Sequence, residues 1–484
     1  MIKMNLTEIA TAVNGIIKND KATDFLGDVV IDSRKVKKGD LFFAINGQNF
    51  DGKDYAIKAI ENGAVAVVCE TEIPNVACIV VKDGKMNSKD VDQPAVVALG
   101  KLANSILTKL PKLWKIAVTG SSGKTTTKDL LSQLGPLVGP TVSPAGSFNN
   151  EIGMPLTILQ CTEATRVLIL EMGARRVGNI AHLCQIAKPD LSLILNIGKA
   201  HLEIFESEKD IFTAKTEIIK NLNSEDTAIL NADDKTFEAQ KKSTQAKVYS
   251  FGVENSADIF ASEVEIDSYA KASFVLNYQG RKEKVKLNLL GEHQVSNALA
   301  AAAPFLIKGF AIQEVAKILS SSEIKSNLRM QVQKTLNNIT ILNDSYNANP
   351  ESMSAAIRTL EQIKINEKKI AIIGEMRELG NYSIQAHEEI GKLISETRID
   401  DVVVIGKGAK PIYTELLNQE NWVGKVCFFE NIESFQVEMQ NIIVSNSYIL
   451  IKASRSIGLE RVADEILKAF GENLDSHENL EVGP

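Results

Sequence analysis

The sequence predicts an α/β chain of 484 residues divided into three domains. Short apolar runs alternate with amphipathic helical segments almost throughout, the signature of mainly parallel strands joined by helices. One apolar run leads directly into a glycine-rich turn and a helix, IAVTGSSGKTTTKDLL at 116–131. The chain is also too long for a single compact core, so several domains are required.

Taken in order, residues 1–93 carry candidate strands at Asp28–Ile31, Asp40–Ala44 and Ala64–Cys69. The segment GDLFFAINGQNFDGKDYAIKAIENGA runs from strand through a Gly/Asn/Asp loop into a helix, and the polar stretch 82–93 reads as a linker. Residues 94–327 open with a helix around Ala95–Leu110. Strands are expected at Lys115–Thr119, Val167–Leu170, Leu191–Leu195, Thr227–Leu230 and Lys247–Phe251. The alternating stretch from Ile259 to Leu290 predicts antiparallel structure at one sheet edge, and a helix follows over Val295–Ile307. Residues 328–484 repeat the strand–helix pattern, with strands at Ile339–Leu342, Lys369–Ile373, Asp401–Ile405 and Tyr448–Ile451. The tail 471–484 is acidic and polar, and is expected to be mobile.

Composition narrows the class. With 44% hydrophobic and 24% charged residues the chain reads as a soluble globular protein. A net charge of -7 argues against a nucleic-acid partner while leaving room for a local phosphate pocket. The five cysteines are scattered, several within apolar runs, and suit a reducing compartment better than a disulfide framework. The first residues lack the apolar core of a signal peptide, and the longest apolar stretch, Ala298–Ile307, is too short to span a bilayer. A cytoplasmic protein without membrane insertion is expected.

The strand, glycine turn, Gly-Lys-Thr and helix of 116–131 have the context that a phosphate-binding loop requires. Gly120 and Gly123 let backbone N–H groups, including those of Ser121, Ser122 and Thr126, approach phosphate oxygens. Lys124 can bridge terminal phosphates, Thr125 can ligate Mg²⁺, and the helix adds its positive dipole end. The loop is a variant, because Val118 stands where the common spacing has glycine. Such a loop specifies a nucleotide and leaves the reaction open.

Two further strands end in chemistry. RVLIL ends at Glu171, a carboxylate placed to serve Mg²⁺ at the carboxyl edge of the sheet. LSLILNIG leads into KAHLEIFES and brings His201 to the same edge. Lys215, in DIFTAKTEIIKN, falls on the next helix, where a solvated lysine is the plain reading. An ammonium cannot ligate Mg²⁺, so a role near metal would need its charge changed.

TGSSGKTTT, EMGA, NIGKAHLE, FTAKTEI, NADD, GEHQVSNALAAAA and NDSYNANPESM, in this order, resemble the Mur ligase family over nearly the whole chain. The resemblance implies a small N-terminal UDP-binding domain, a central P-loop ATPase domain with a parallel sheet, and a Rossmann-like C-terminal domain. It implies ATP and two Mg²⁺ ions as cofactors, with Lys124, Lys215 and His201 as catalytic residues. Thr125 and Glu171 would serve one Mg²⁺ and His201 a second; Lys215 would react with CO₂ to give an anionic carbamate that ligates or orients Mg²⁺. Asn297, Arg329 and Asp344 match positions that contact the nucleotide.

Within the family, NDSYNANPESM, GEMRELGNYSIQAHEEIG and IKASRSIGLERV resemble the member that adds D-alanyl-D-alanine to UDP-N-acetylmuramoyl-tripeptide. That implies ATP, the UDP-linked tripeptide and the dipeptide as partners, an acyl-phosphate intermediate, and a pentapeptide precursor of peptidoglycan as product, made by a monomer. Asn149 and Asn150 would contact the peptide, with Asn347, Lys452, Ser454 and Arg455 as further substrate residues. Ser33 and Arg34, in DSRKVKKGDLFFAINGQNFDGKDY, are the candidates for the uridine diphosphate. Two departures stand out: Arg175 and Asn179 replace an Asn and a Glu common after EMGA, and Ala453 interrupts the K-G-S-R pattern. The alternatives are another Mur ligase or a folylpolyglutamate synthetase adding a different amino acid, or a non-ligase P-loop NTPase.

Overall fold

Three sheets, each wrapped by helices, follow one another along the chain in a computed structural model that describes residues 2–19, 27–47, 49–84, 93–198, 203, 205, 207–364 and 366–473. The first contains β1 (Ile16–Lys18), β2 (Val29–Val30), β3 (Leu41–Phe43), β4 (Ala66–Cys69) and β5 (Cys78–Val80), in the order β1-β5-β4-β3-β2. Strands β2 to β5 are parallel, and β1 closes one edge antiparallel to β5.

The second sheet holds β6 (Trp114–Thr119), β7 (Thr141–Val142), β8 (Val167–Glu171), β9 (Leu191–Ile194), β10 (Thr227–Asn231), β11 (Lys247–Gly252), β12 (Ile259–Ile266), β13 (Lys271–Tyr278) and β14 (Arg281–Leu290). Its order is β14-β13-β12-β11-β10-β9-β6-β8-β7. Strand β6 pairs in parallel with β8 and β9, so the turn that follows it emerges in mid-sheet, flanked by the carboxyl ends of both neighbours. Strands β8 and β9 are buried along their whole length, as a parallel sheet covered on both faces demands. The antiparallel edge expected over 259–290 is the β12–β13–β14 meander.

The third sheet contains β15 (Gln331–Lys334), β16 (Ile339–Asn343), β17 (Lys368–Gly374), β18 (Asp401–Ile405), β19 (Lys425–Phe429) and β20 (Ser447–Lys452), ordered β15-β16-β20-β17-β18-β19. Five of its strands are parallel, and β15 is an antiparallel edge. Separate apolar layers cover its two faces. By contrast, the first region and one face of the central sheet share a single core, which runs from Ile2 through the Pro94–Thr108 helix to Ala246.

Local chemistry explains several element boundaries. Asn349 caps the Pro350–Gln362 helix by accepting from Ser352 N, and Ser207 caps the Glu208–Lys220 helix in the same way through Asp210 N. Four cysteines are buried as the apolar runs predict, whereas Cys427 is exposed on the edge strand β19. The linker read at 82–93 and the tail beyond Asn473 lie largely outside the described residues. Among the described residues no helix is long and apolar enough to cross a membrane.

Candidate active site

Gly123 begins the site. Its φ of 79° lies in the left-handed region, and a Cβ there would stand 2.4 Å from Asn297 Oδ1. Only glycine fits the turn between strand and helix. Lys124 is the first residue of the Lys124–Leu134 helix, and its ammonium folds back to donate to Gly120 O at 2.6 Å. Lys215 enters from the Glu208–Lys220 helix and donates to the same carbonyl at 2.9 Å. Far from being a solvated helix lysine, it is 3% exposed. Burial holds its pKa well below the ordinary 10.5, and the Lys124 charge lowers it further, against a smaller opposing effect of Glu351. Burial also lowers Lys124, opposed by the nearby Glu171 carboxylate.

The back of the loop is braced by a residue that sequence reading missed. Asn196, just after β9, accepts from Ser121 N and Ser122 N at 3.0 and 2.9 Å and donates to Ser122 O at 3.2 Å. The only available signal was its place in LNIGKAH, directly at a strand end. From the third region, Asn349 donates to Ser121 O at 3.3 Å.

Glu171 sits at the carboxyl end of β8 with 1% exposure. Asn149 donates to its Oε1 at 2.8 Å, while Oε2 is buried with no hydrogen-bond partner. An ionised oxygen left bare in the interior is costly unless something binds it. The Thr125 hydroxyl lies 3.0 Å from Ser147 Oγ, and Arg329 donates to it at 3.1 Å across 204 residues of chain. A hydroxyl and a carboxylate are the hard oxygen donors that suit Mg²⁺, which typically takes few protein ligands and completes its shell with phosphates and water. Among the described residues no three His, Cys, Asp or Glu side chains group as a metal cage. His201 lies outside the described residues.

The same Arg329 guanidinium stacks 4.1 Å over the Tyr346 ring, with Arg455 6.0 Å from the same centroid. Asp344 accepts from Lys452 Nζ at 2.6 Å and from Met330 N at 3.1 Å. Lys452 is 2% exposed, also donates to Asn347 O at 2.8 Å, and has its pKa lowered by burial against the pull of Asp344. Ser454 is buried and accepts from Arg377 N at 2.8 Å, so it shapes the turn after β17. His387, on the Ser383–Ser395 helix, is fully buried and accepts from Met376 N at 2.9 Å, which makes it a brace for that turn. Asn297 donates to Gln294 Oε1 at 2.9 Å beneath the loop. Asn150 is exposed and turns its Oδ1 to Gly153 N at 2.9 Å.

The structure therefore brings together Lys124, Thr125, Glu171, Lys215, Asn149, Asn297 and Arg329. Ser33 and Arg34 stay apart, in the first region. Ser33 is buried with its carbonyl accepting from Asn62 at 2.9 Å, and the Arg34 side chain is 86% exposed, paired with Asp32 at 2.9 Å. That guanidinium holds the Asp32 carboxyl down at about 2.

Comparison with known proteins gives a consistent result. Residues 26–102 match the catalytic domain of the Mur ligase family, 118–304 the Mur ligase middle domain, and 328–455 the Mur ligase glutamate ligase domain. The chain is 34% identical to a UDP-N-acetylmuramoyl-tripeptide–D-alanyl-D-alanine ligase of Mycobacterium tuberculosis, covering 96% of this chain and 98% of that one. It is 33% identical to the Bacillus subtilis ligase of the same name, over 97% and 99%. Among solved structures it resembles MurF from Acinetobacter baumannii, with a TM-score of 0.85 and 28% identity over 96% of this chain and 99% of that one. It also resembles the Thermotoga maritima MurF ligase solved in complex with ADP, with a TM-score of 0.77 and 29% identity over 92% and 97%.

Proposed function

The chain belongs to the Mur ligase family, and from that premise we propose that it joins D-alanyl-D-alanine to UDP-N-acetylmuramoyl-tripeptide at the expense of ATP. The product is the UDP-linked pentapeptide used for peptidoglycan. One observation carries the reaction class: Lys124 and Lys215 both donate to Gly120 O in the turn after β6, and Glu171 ends the adjacent strand with a bare buried oxygen. The choice of dipeptide and tripeptide rests on the full-length likeness to ligases of that name.

In this reading the Gly120–Thr126 turn and the helix N-terminus receive the ATP phosphates, and Lys124 swings from Gly120 O onto them. Arg329, Asn297 and Asp344 line the nucleotide side, with Tyr346 holding the Arg329 guanidinium flat. Thr125 and Glu171 would hold Mg²⁺, and His201 is assigned to a second ion. Bound Mg²⁺ neutralises phosphate oxygens, which favours attack by an anionic nucleophile. A neutral, buried Lys215 amine is the form that adds to CO₂, forming an N–C bond and releasing a proton. The resulting carbamate anion would lie beside the Lys124 ammonium, which disfavours a cation and favours an anion at that point.

The tripeptide carboxylate attacks the γ-phosphorus, breaking its bond to ADP and giving an acyl phosphate. The dipeptide amine then attacks the acyl carbon, loses a proton, and phosphate leaves. Positioning and charge account for both steps, so no nucleophilic side chain is needed. Asn149, Asn150, Asn347, Lys452, Ser454 and Arg455 are assigned to the peptide ends, Lys452 and Ser454 by shaping backbone. Ser33 and Arg34 are assigned to the uridine diphosphate. The division into 1–93, 94–327 and 328–484, a monomeric state and a cytoplasmic location complete the proposal. The test is phosphate release with all three substrates and the mass of the product: a pentapeptide made only when all three are present is the expected result. Release with a different amine would move the chain to another member of the family.

A further inference from the structure

One contact network on the phosphate-loop helix is not used by the chemistry above. Lys128 and Asp129 are each 2% exposed and form an ion pair at 2.5 Å. Adjacent helix positions do not normally face each other, and a buried ion pair is seldom worth more to stability than an apolar pair of the same size. What this pair does hold is chain from elsewhere. Asp129 Oδ2 accepts from Ser326 N at 3.0 Å, and Lys128 donates to Ser326 Oγ at 3.3 Å and to Pro144 O at 3.2 Å. One turn on, Gln133 exchanges two bonds with the Glu323 backbone, donating to its carbonyl at 2.8 Å and accepting from its N–H at 3.2 Å.

The segment so gripped, 323–326, leads from the second sheet to the third. Three residues beyond Ser326, Arg329 reaches back to Thr125. The residues on either side of it, Leu328 and Met330, have φ of 60° and 50°, a conformation that non-glycine residues adopt only when the surroundings impose it. The far end is fixed as well, since Tyr346 N donates to Leu328 O at 3.1 Å and Met330 N to Asp344 at 3.1 Å.

We propose that Lys128, Asp129 and Gln133 form a latch on the 323–326 linker and act as positioning residues for Arg329, setting its approach to the nucleotide without touching substrate. Lys128 extends the latch to Pro144, three residues before Ser147, the other hydroxyl at which Arg329 is aimed, at 3.5 Å. This inference rests on the proposed ATP site. It places control of nucleotide affinity in the linker that joins the second and third regions.

The test is calorimetric binding of ADP with Mg²⁺ to the full chain carrying Asp129→Asn or Gln133→Ala, each alone and combined with Arg329→Ala. Either single change is expected to weaken ADP about tenfold, through the loss of one charge-assisted hydrogen bond at Asp129 or of two neutral ones at Gln133, and to leave the KM for D-alanyl-D-alanine unchanged. Combined with Arg329→Ala, neither is expected to weaken ADP further, because the group it positions is already gone. Unchanged ADP affinity in both single variants overturns the latch, and so do losses that multiply in full with that of Arg329→Ala. Gln133 lies at the surface end of the network, so Gln133→Ala carries the test if Asp129→Asn fails to fold. A wild-type chain that binds no ADP refutes the ATP site itself, and the latch with it.

Discussion

Lys124 and Lys215 at the mouth of the phosphate loop, and Lys128 and Lys452 on its flanks, are all drawn inward, yet they are treated in opposite ways. The flanking lysines each face an aspartate, Lys128 with Asp129 at 2.5 Å and Lys452 with Asp344 at 2.6 Å. The two at the mouth, Lys215 buried and Lys124 half-buried, have only backbone carbonyls as hydrogen-bond acceptors: both donate to Gly120 O, and Lys124 also reaches Ser121 O at 3.5 Å. The difference separates scaffold from site. A buried charge with its own counterion holds parts of the chain together, whereas a lysine left to a carbonyl is open to what arrives later, in the proposed reaction the ATP phosphates at Lys124 and CO₂ at a neutral Lys215.

The comparison breaks most visibly if the mouth lysines prove structural. Lys124→Ala and Lys215→Ala are each expected to lower kcat by about 10²–10³-fold or more, with a melting temperature no lower than wild type. A large fall in melting temperature with activity retained would move them to the scaffold class. On the flank the expectation is inverted. Asp344→Ala leaves the buried Lys452 ammonium without its counterion, and should cost about 3–5 kcal/mol in urea unfolding. Lys452→Met, which removes that charge instead, should cost clearly less.

A smaller effect sharpens the contrast through pH. Because the Lys215 pKa lies well below 10.5 when folded, the unfolded chain binds its proton more tightly than the folded one. Stability should therefore rise with pH between the folded value and 10.5, by the sign of proton linkage. Lys215→Met should flatten that rise in denaturant titrations at stepped pH. The smallest effect belongs to the first region, where Arg34 and Asp32 meet in solvent. Arg34→Ala should leave the melting temperature unchanged and raise the KM for the UDP-linked tripeptide alone.

What could be read from sequence follows the same division between local and distant causes. The phosphate loop was legible because strand, glycine, lysine and helix are contiguous, and the buried parallel strands β8, β9 and β18 because they are mostly apolar runs, interrupted inside β9 by Ser192 alone. Strands β15 and β19 were missed: both lie at sheet edges, three of the four residues of QVQK are polar, and KVCFF is only partly buried. The burial of Lys215 and His387 depends on which helix face meets another element, and a lone basic residue in a polar helix does not reveal that. Arg329 was placed by resemblance, but its contact with Thr125 spans 204 residues and is made only by the linker's path. Asn196 opens the NIGKAHLE motif but nothing in the motif singles it out as the loop's brace, and Ser147 is one serine among several near the loop.

The central claim is that a carboxylate, and not water, takes the γ-phosphoryl group at the Lys124–Lys215 mouth. The measurement that tests it uses UDP-N-acetylmuramoyl-tripeptide with ¹⁸O in its terminal carboxylate, followed by mass analysis of the phosphate released with ATP and D-alanyl-D-alanine. One carboxylate-derived oxygen is expected in every phosphate formed. Phosphate carrying only solvent and ATP oxygens would contradict it, and would reduce the site to an ATP-hydrolysing loop.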